Sequence, residues 1–239
     1  MKFAKTVIAT ALIASAGVAQ AEITANVSAV TNYYFRGITQ TADSAAVQGG
    51  FDYSQESGLY AGVWGSNVDF GGKESTEVDL YSGFGGDIGD TGASYDLGAI
   101  YYAYPGAGGD MQGGDLDYAE LYVGASMGMF SASFNYNVWG EVTGTGNSFQ
   151  VNDDGDYFWN VSADVPLPEK FSFGAFIAGA NFNSKADDYT YWGASVSKDV
   201  GDFGSLSMNY EQNDGGGNAA NVIATDDSAK IWLGWSKDF

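Results

Sequence analysis

The 239-residue sequence has no cysteine, no histidine, three prolines and only nine basic residues. Each shortage excludes a class of chemistry. A chain without cysteine carries no disulfide framework and no thiolate nucleophile. Without histidine as well, it has no Cys/His zinc site and no imidazole base. Thirty acidic residues against nine basic ones give a formal charge of −21. That is the wrong sign for nucleic acid, whose phosphates need clustered Lys and Arg. After the N-terminus no apolar run approaches the roughly 18 residues of a membrane-spanning helix. Nothing in the sequence calls for a cofactor or for catalysis: "GVWGSN" (62–67) lacks the Gly-x-Ser-x-Gly pattern and has no histidine to serve it.

What is present points to strands. Disordered acidic chains have few aromatics, whereas this one holds 16 Tyr, 15 Phe and 6 Trp beside 35 Gly. The first segment, "MKFAKTVIATALIASAGVAQA", reads as an export signal. Lys2 and Lys5 supply the positive region, Val7 to Val18 the short apolar core, and Ala19-Gln20-Ala21 the small-x-small cleavage site. Residues 1–21 are thus expected to be a cleaved secretory signal and residues 22–239 one domain. The mature chain then carries seven basic and 30 acidic residues, a formal charge of −23.

The dominant signal is period two, the repeat of a strand whose side chains alternate between faces. In "STEVDLYSGF" (75–84), Thr76, Val78, Leu80 and Phe84 oppose Glu77, Asp79 and Tyr81. In "DYAELYVGASM" (117–127), Ala119, Leu121, Val123, Ala125 and Met127 oppose Tyr118, Glu120 and Tyr122. "FSASFNYNVW" (130–139) and "YFWNVSADV" (157–165) repeat the pattern. Weaker copies fall at 23–36, 46–54, 58–68, 94–104, 188–198, 205–211 and 229–239. One more, "FSFGAFIAGANF" (171–182), is apolar on both faces and has no readable orientation. The total is about twelve strands.

Their connections alternate in length. Short ones (55–58, Gly128, 166–170, 199–204, with 85–92 somewhat longer) are interleaved with long ones (37–45, 69–75, 105–115, 140–156, 212–227), and only "SKAD" (184–187) breaks the long series. Short turns on one rim and long loops on the other are the layout of a transmembrane antiparallel up-and-down β-barrel, with periplasmic turns and extracellular loops. A soluble β-sandwich shares the alternation but has more balanced loops, and a solenoid would show a fixed repeat that is absent here. Barrel closure pairs every backbone group within lipid. It also places Phe239, in phase with Ile231, Leu233 and Trp235, in a periplasmic aromatic girdle.

At "NYYFRGITQT" (32–41), "VQGGFDY" (47–53) and "GLYAGVWGSNVDF" (58–70), the chain resembles the TorF-type porin family of proteobacterial outer-membrane proteins. By motif the resemblance covers the N-terminal third, and the rest by length, Gly/aromatic texture and terminal Phe. It implies an outer-membrane protein surrounded by lipid and lipopolysaccharide, passing small hydrophilic solutes or ions. The end of the chain is also similar to the signal by which the barrel-assembly machinery recognises its clients. Gly234 and Phe239 match that signal, with Trp235 grouped beside them in the girdle, whereas Lys237 and Trp232 depart from it.

Candidate functional residues follow from the barrel. Arg36, the one arginine, shares the polar face of the first strand with Thr24, Asn26, Ser28, Asn32 and Tyr34. There it is expected either to screen solutes at a constriction or to pair with a wall carboxylate. Asp52, Glu77, Asp79, Asp96, Glu120 and Asp164 oppose the apolar faces and are expected to line the lumen, since charge on the lipid face is costly. An acidic lumen favours cations. Asp153, Asp154 and Asp156 in "NDDGD" are weak Ca²⁺ candidates without EF-hand spacing; solvated loop charge is the better account. The competing function is a non-conducting structural or surface-binding barrel, its lumen filled by inward Tyr81, Tyr118, Tyr122 and Trp139. A soluble periplasmic binding module is a third.

Overall fold

A computed structural model describes residues 21–106, 116–140, 152–183, 188–215 and 228–239. Apart from Ala21, the expected export signal lies outside the described residues. Twelve strands of nine to twelve residues build the wall. They are β1 (Glu22–Val30), β4 (Ala46–Ser54), β5 (Leu59–Asn67), β6 (Thr76–Asp87), β7 (Ala93–Ala103), β8 (Tyr118–Met127), β9 (Phe130–Gly140), β10 (Tyr157–Pro166), β11 (Phe171–Asn181), β12 (Tyr189–Asp199), β13 (Ser205–Asn213) and β14 (Lys230–Asp238). Two further strands of two residues each, β2 (Tyr34–Phe35) and β3 (Ile38–Thr39), form a separate hairpin. Each wall strand pairs antiparallel with its sequence neighbour, and β1 pairs with both β4 and β14, so the sheet closes. The fold is a closed twelve-stranded antiparallel transmembrane β-barrel, at a strand length suited to a tilted crossing of the hydrocarbon layer.

The packing is inverted relative to a soluble domain. Val47, Phe51, Leu80, Leu97, Leu121, Val123, Phe134, Val161, Ile177, Met208, Ile231 and Leu233 are exposed on the outer wall, while Glu77, Asp96, Glu120, Asn137, Asn209 and Glu211 are buried inside it. Lipid offers no hydrogen-bond partner, so closure satisfies the backbone and the pleat sends carboxylates inward. At the chain end, Phe239 donates its N–H to the Ala25 carbonyl and accepts from the Ala25 N–H, at 2.8 and 3.2 Å, completing the seam between first and last strands. Its ring stays exposed on the outside, in register with Leu233 and Ile231.

Three expectations need correction. The first strand does not run to residue 36. It ends at Val30, and Asn32 to Ser44 turn inward as a separate unit. Trp139 does not face the lumen, because β9 bulges at Val138: Ala119 and Glu120 of β8 pair with Trp139 and Asn137, so that Val138 is passed over. The extra residue flips the parity, and Trp139 stacks outside on Tyr101 with ring centroids 5.9 Å apart. Strand β11, unreadable from sequence, turns Phe173 and Ile177 outward and the buried Ala178 and Ala180 inward; Ala is small there because the hairpin needs the space.

Val123 sits near the middle of β8 with its side chain outward. Val123→Arg is expected to destabilise the folded barrel by about 2–4 kcal/mol. Ser133→Arg on the neighbouring inward position should cost much less. Urea unfolding in lipid vesicles measures both.

Candidate functional site

The segment between β1 and β4 folds into the barrel and ends in a tight hairpin. Tyr34 pairs with Thr39 and Phe35 with Ile38, which leaves Arg36-Gly37 as a two-residue turn. Both have positive φ, 52° and 81°, as a type I′ turn demands. Gly37 is required twice over: by its φ and because a Cβ there would stand 2.8 Å from the Tyr191 Cβ. An arginine at positive φ is unusual, and contacts to both its side chain and the turn backbone hold it there.

Those contacts are dense. The Arg36 guanidinium donates two parallel hydrogen bonds to Glu120, at 2.7 and 2.8 Å, the fork-on-fork geometry that suits arginine. It lies 3.5 Å from the Phe158 ring centroid and 4.6 Å from that of Phe35, so aromatic faces add cation–π attraction. Glu120 is fully buried and also accepts from Asn135 Nδ2 at 3.1 Å and Tyr102 Oη at 3.4 Å. On the opposite side of the turn, Tyr189 donates to the Arg36 carbonyl at 2.7 Å. The Gly37 N–H donates to Glu211 at 2.8 Å, and Asn213 Nδ2 donates to the Gly37 carbonyl at 2.9 Å. The tip therefore joins β8 to β12 and β13 across the lumen.

The rest of the hairpin is wedged. Tyr33 and Phe35 pack among Tyr102, Tyr104, Tyr118 and Trp64, whereas Ile38 packs against Phe158, Tyr189 and Tyr191. At its base, Thr39 Oγ1 and Asn32 share a 2.7 Å bond, Asn32 Nδ2 donates to Asp43 at 2.7 Å, and Lys230 pairs with Asp43 at 2.8 Å. Anchored at base and tip, the hairpin divides the upper lumen.

All six carboxylates expected to line the lumen stand on inward faces, but in three different settings. Glu120, Glu77 and Asp79 occupy the hairpin level. Glu77 accepts from Tyr104 Oη at 2.8 Å, while its Oε2 and the Oδ1 of Asp79 are buried without a hydrogen-bond partner. Lower down, Tyr60 donates to Asp96 at 2.6 Å and shares a short bond with Tyr122, and Tyr81 donates to Asp52. These tyrosines do not cross the barrel. Tyr81 lies flat over Gly62, Tyr60 over Gly83 and Tyr122 over Gly98, where any Cβ would collide with the ring or its hydroxyl. Asp164, near the turn after β10, is exposed. Glu211, Phe158, Tyr189 and Asn135 were not among the sequence candidates. Glu211 was within reach, because Leu206, Met208 and Tyr210 alternate with Ser207, Asn209 and Glu211.

The "NDDGD" loop is a strut. Both oxygens of the buried Asp156 carboxylate accept backbone N–H groups, from Asp153 at 2.9 Å and Asn183 at 2.8 Å, and Asp154 points to solvent. Among the described residues no group of three or more acidic side chains is placed to hold a metal ion. Burial outweighs those N–H donors and pushes the Asp156 carboxyl up to about 6.

The model of a family described as "Bacterial protein of unknown function (Gcw_chp)" matches residues 14–239. No curated protein matches the sequence. The fold is similar to a solved structure described as "KdgM porin", with a TM-score of 0.57 at 6% identity, covering 90% of this chain and 98% of that one. It is similar also to one described as "Unveiling the Mechanism Behind the in-meso Crystallization of Membrane Proteins", with a TM-score of 0.56 at 8% identity over 91% and 83% of the two chains. Against the outer membrane protein OprD from Pseudomonas aeruginosa the TM-score is 0.45 at 13% identity, over 82% of this chain and 59% of OprD.

Two outcomes follow from the site. Glu120→Gln leaves a buried guanidinium without its counter-charge and should lower stability by about 3–5 kcal/mol, read from urea titration. Asp156 has a carboxyl pKa raised in the folded state from 3.8 to about 6. Its contribution is therefore greatest below pH 4 and declines as pH rises through 6. The stability difference between wild type and Asp156→Asn should shift against the wild type across that window, and a pH-independent difference would contradict this.

Proposed function

This chain belongs to the Gcw_chp family, and we propose that it is an outer-membrane channel for small hydrophilic solutes or ions, with a preference for cations. The observation that carries this reading is the hairpin held across a carboxylate-lined lumen by the Arg36–Glu120 pair. A barrel that only anchored loops would have no need of a built partition at its narrow level. Near the hairpin, Glu77, Asp79, Glu120 and Glu211 are buried around a single arginine, while Asp52 and Asp96 line the lower half. Excess negative charge in a low-dielectric bore concentrates cations and repels anions. Twelve strands lie between barrels filled by side chains and the open sixteen-stranded porins, so the passage is narrow and the hairpin sets its width. In the lower half Tyr60, Tyr81 and Tyr122 lie along the wall over glycines, not across the bore.

The remaining assignments belong to the same proposal: TorF-type porin character, export through the N-terminal signal, insertion by the assembly machinery through Gly234, Trp235 and Phe239, and residence among lipopolysaccharide. Passage is passive and no enzymatic step is proposed. A second reading rests on one observation, that the hairpin buries apolar clusters on both of its faces. In that reading the hairpin is a permanent plug and the barrel does not conduct.

Single-channel recording in a planar bilayer under a KCl gradient separates the two. Stepwise currents with a cation-selective reversal potential are expected, and removal of residues 33–42 should enlarge the unit conductance severalfold. A wild-type protein that inserts and stays silent, beside a conducting deletion variant, would establish the plug. Anion selectivity would remove the role given to the carboxylates.

A further inference from the structure

The surroundings of Arg36 have the form of a binding site whose occupant is part of the same chain. A guanidinium recognised by a protein needs a planar carboxylate for its paired N–H groups, aromatic faces for its π surface, and second partners that fix the carboxylate. All three are present. Glu120 receives the fork at 2.7 and 2.8 Å, Phe158 and Phe35 cover the cation at 3.5 and 4.6 Å, and Asn135 and Tyr102 hold the Glu120 carboxylate. Glu120, Phe158 and Tyr102 are buried and belong to wall strands β8, β10 and β7. Most of the site is therefore built into the barrel and does not depend on the hairpin for its shape.

The occupant is the strained partner. Arg36 sits at φ 52° on a two-residue turn, a conformation that costs about 1–3 kcal/mol for a residue with a side chain. The backbone of that turn is held independently by Glu211, Asn213 and Tyr189. The guanidinium can leave Glu120 while the hairpin keeps its anchor on the far wall. Nearby, the buried Asp79 Oδ1 lacks a hydrogen-bond partner, an acceptor that a second donor group on an incoming solute would satisfy.

We infer that Glu120, Phe158, Asn135 and Tyr102 form a guanidinium-recognition site in the lumen, that Arg36 is its tethered occupant, and that guanidinium-bearing solutes are the class it takes. This rests on the lumen reading above and names the chemistry the constriction favours. A tethered group competes at an effective concentration in the millimolar range, so the wild-type site yields only to solute above that level. Alkylammonium solutes, which present a point charge and no planar fork, bind it poorly.

The test empties the site without disturbing the turn. Arg36→Gly relieves the positive φ, and Arg36→Asn provides the Asn-Gly pair that type I′ turns favour; either variant serves if the other fails to fold. Refolding into detergent micelles is checked by heat-modifiable gel mobility, and methylguanidinium is titrated by calorimetry. Saturable binding in the roughly millimolar range is expected for the variants. It should be at least tenfold weaker for the wild type, for the variant that also carries Glu120→Gln, and for methylammonium in place of methylguanidinium. A folded variant that does not bind, or that binds no better than the wild type, overturns the inference; so does equal affinity for the two cations. Because the readout is binding, a silent channel would leave this result standing and count only against the conduction proposal.

Discussion

Lipid supplies no hydrogen bonds. Every backbone N–H and C=O of a strand that crosses the hydrocarbon layer must find its partner in a neighbouring strand, and the seam between β1 and β14 is where that condition is met last. Once the sheet is closed, the pleat leaves two environments and no third. Apolar side chains take the outside, and everything charged within the span is pushed into the bore. The crowding of Glu77, Asp79, Glu120 and Glu211 around one guanidinium is a consequence of that sorting, because a narrow barrel of twelve strands has little room to spread them.

Buried like charges are tolerable only when compensated, which explains the attention the chain gives to Arg36. Its turn is held in an unfavourable conformation at a cost of about 1–3 kcal/mol. Separating a buried ion pair costs more, about 3–5 kcal/mol, so the strained tip remains seated. The pair is flanked by aromatic faces and by Asn135 and Tyr102, so Glu120 is satisfied from several directions. The same contacts that stabilise the tip also make the lumen asymmetric. Apolar packing fills the two flanks of the hairpin, while Ser28, Gln48, Ser66 and Asn209 line other parts of the wall.

Much of the wall was legible in the sequence because period two survives wherever one face meets lipid and the other meets water. Strands β6, β8 and β9 can be oriented from their alternation alone, and the short turns mark their ends. The hairpin was hidden because Asn32, Tyr34 and Arg36 continue the parity of Thr24, Asn26 and Ser28, so a strand that stops at Val30 looks as if it runs on. The local sign was "YFRGIT": a Gly-containing pair flanked by two β-forming residues on each side, which fits a two-residue turn. Trp139 was misplaced because a bulge changes parity without changing composition. Strand β11 was unreadable since its inward alanines answer to the hairpin, a partner 140 residues earlier in the chain.

Inside the barrel the first loop is held by its turn backbone on β12 and β13 and, on β8, by an energetic link between Arg36 and Glu120. A double-mutant cycle with Arg36→Gly and Glu120→Gln, followed by urea unfolding in vesicles, tests that link directly. The link predicts strong coupling: the double variant should be more stable than the sum of the single effects implies, by about 2 kcal/mol or more. Single effects that add to within about 0.5 kcal/mol would mean that the two residues do not meet, and would contradict the account of the constriction.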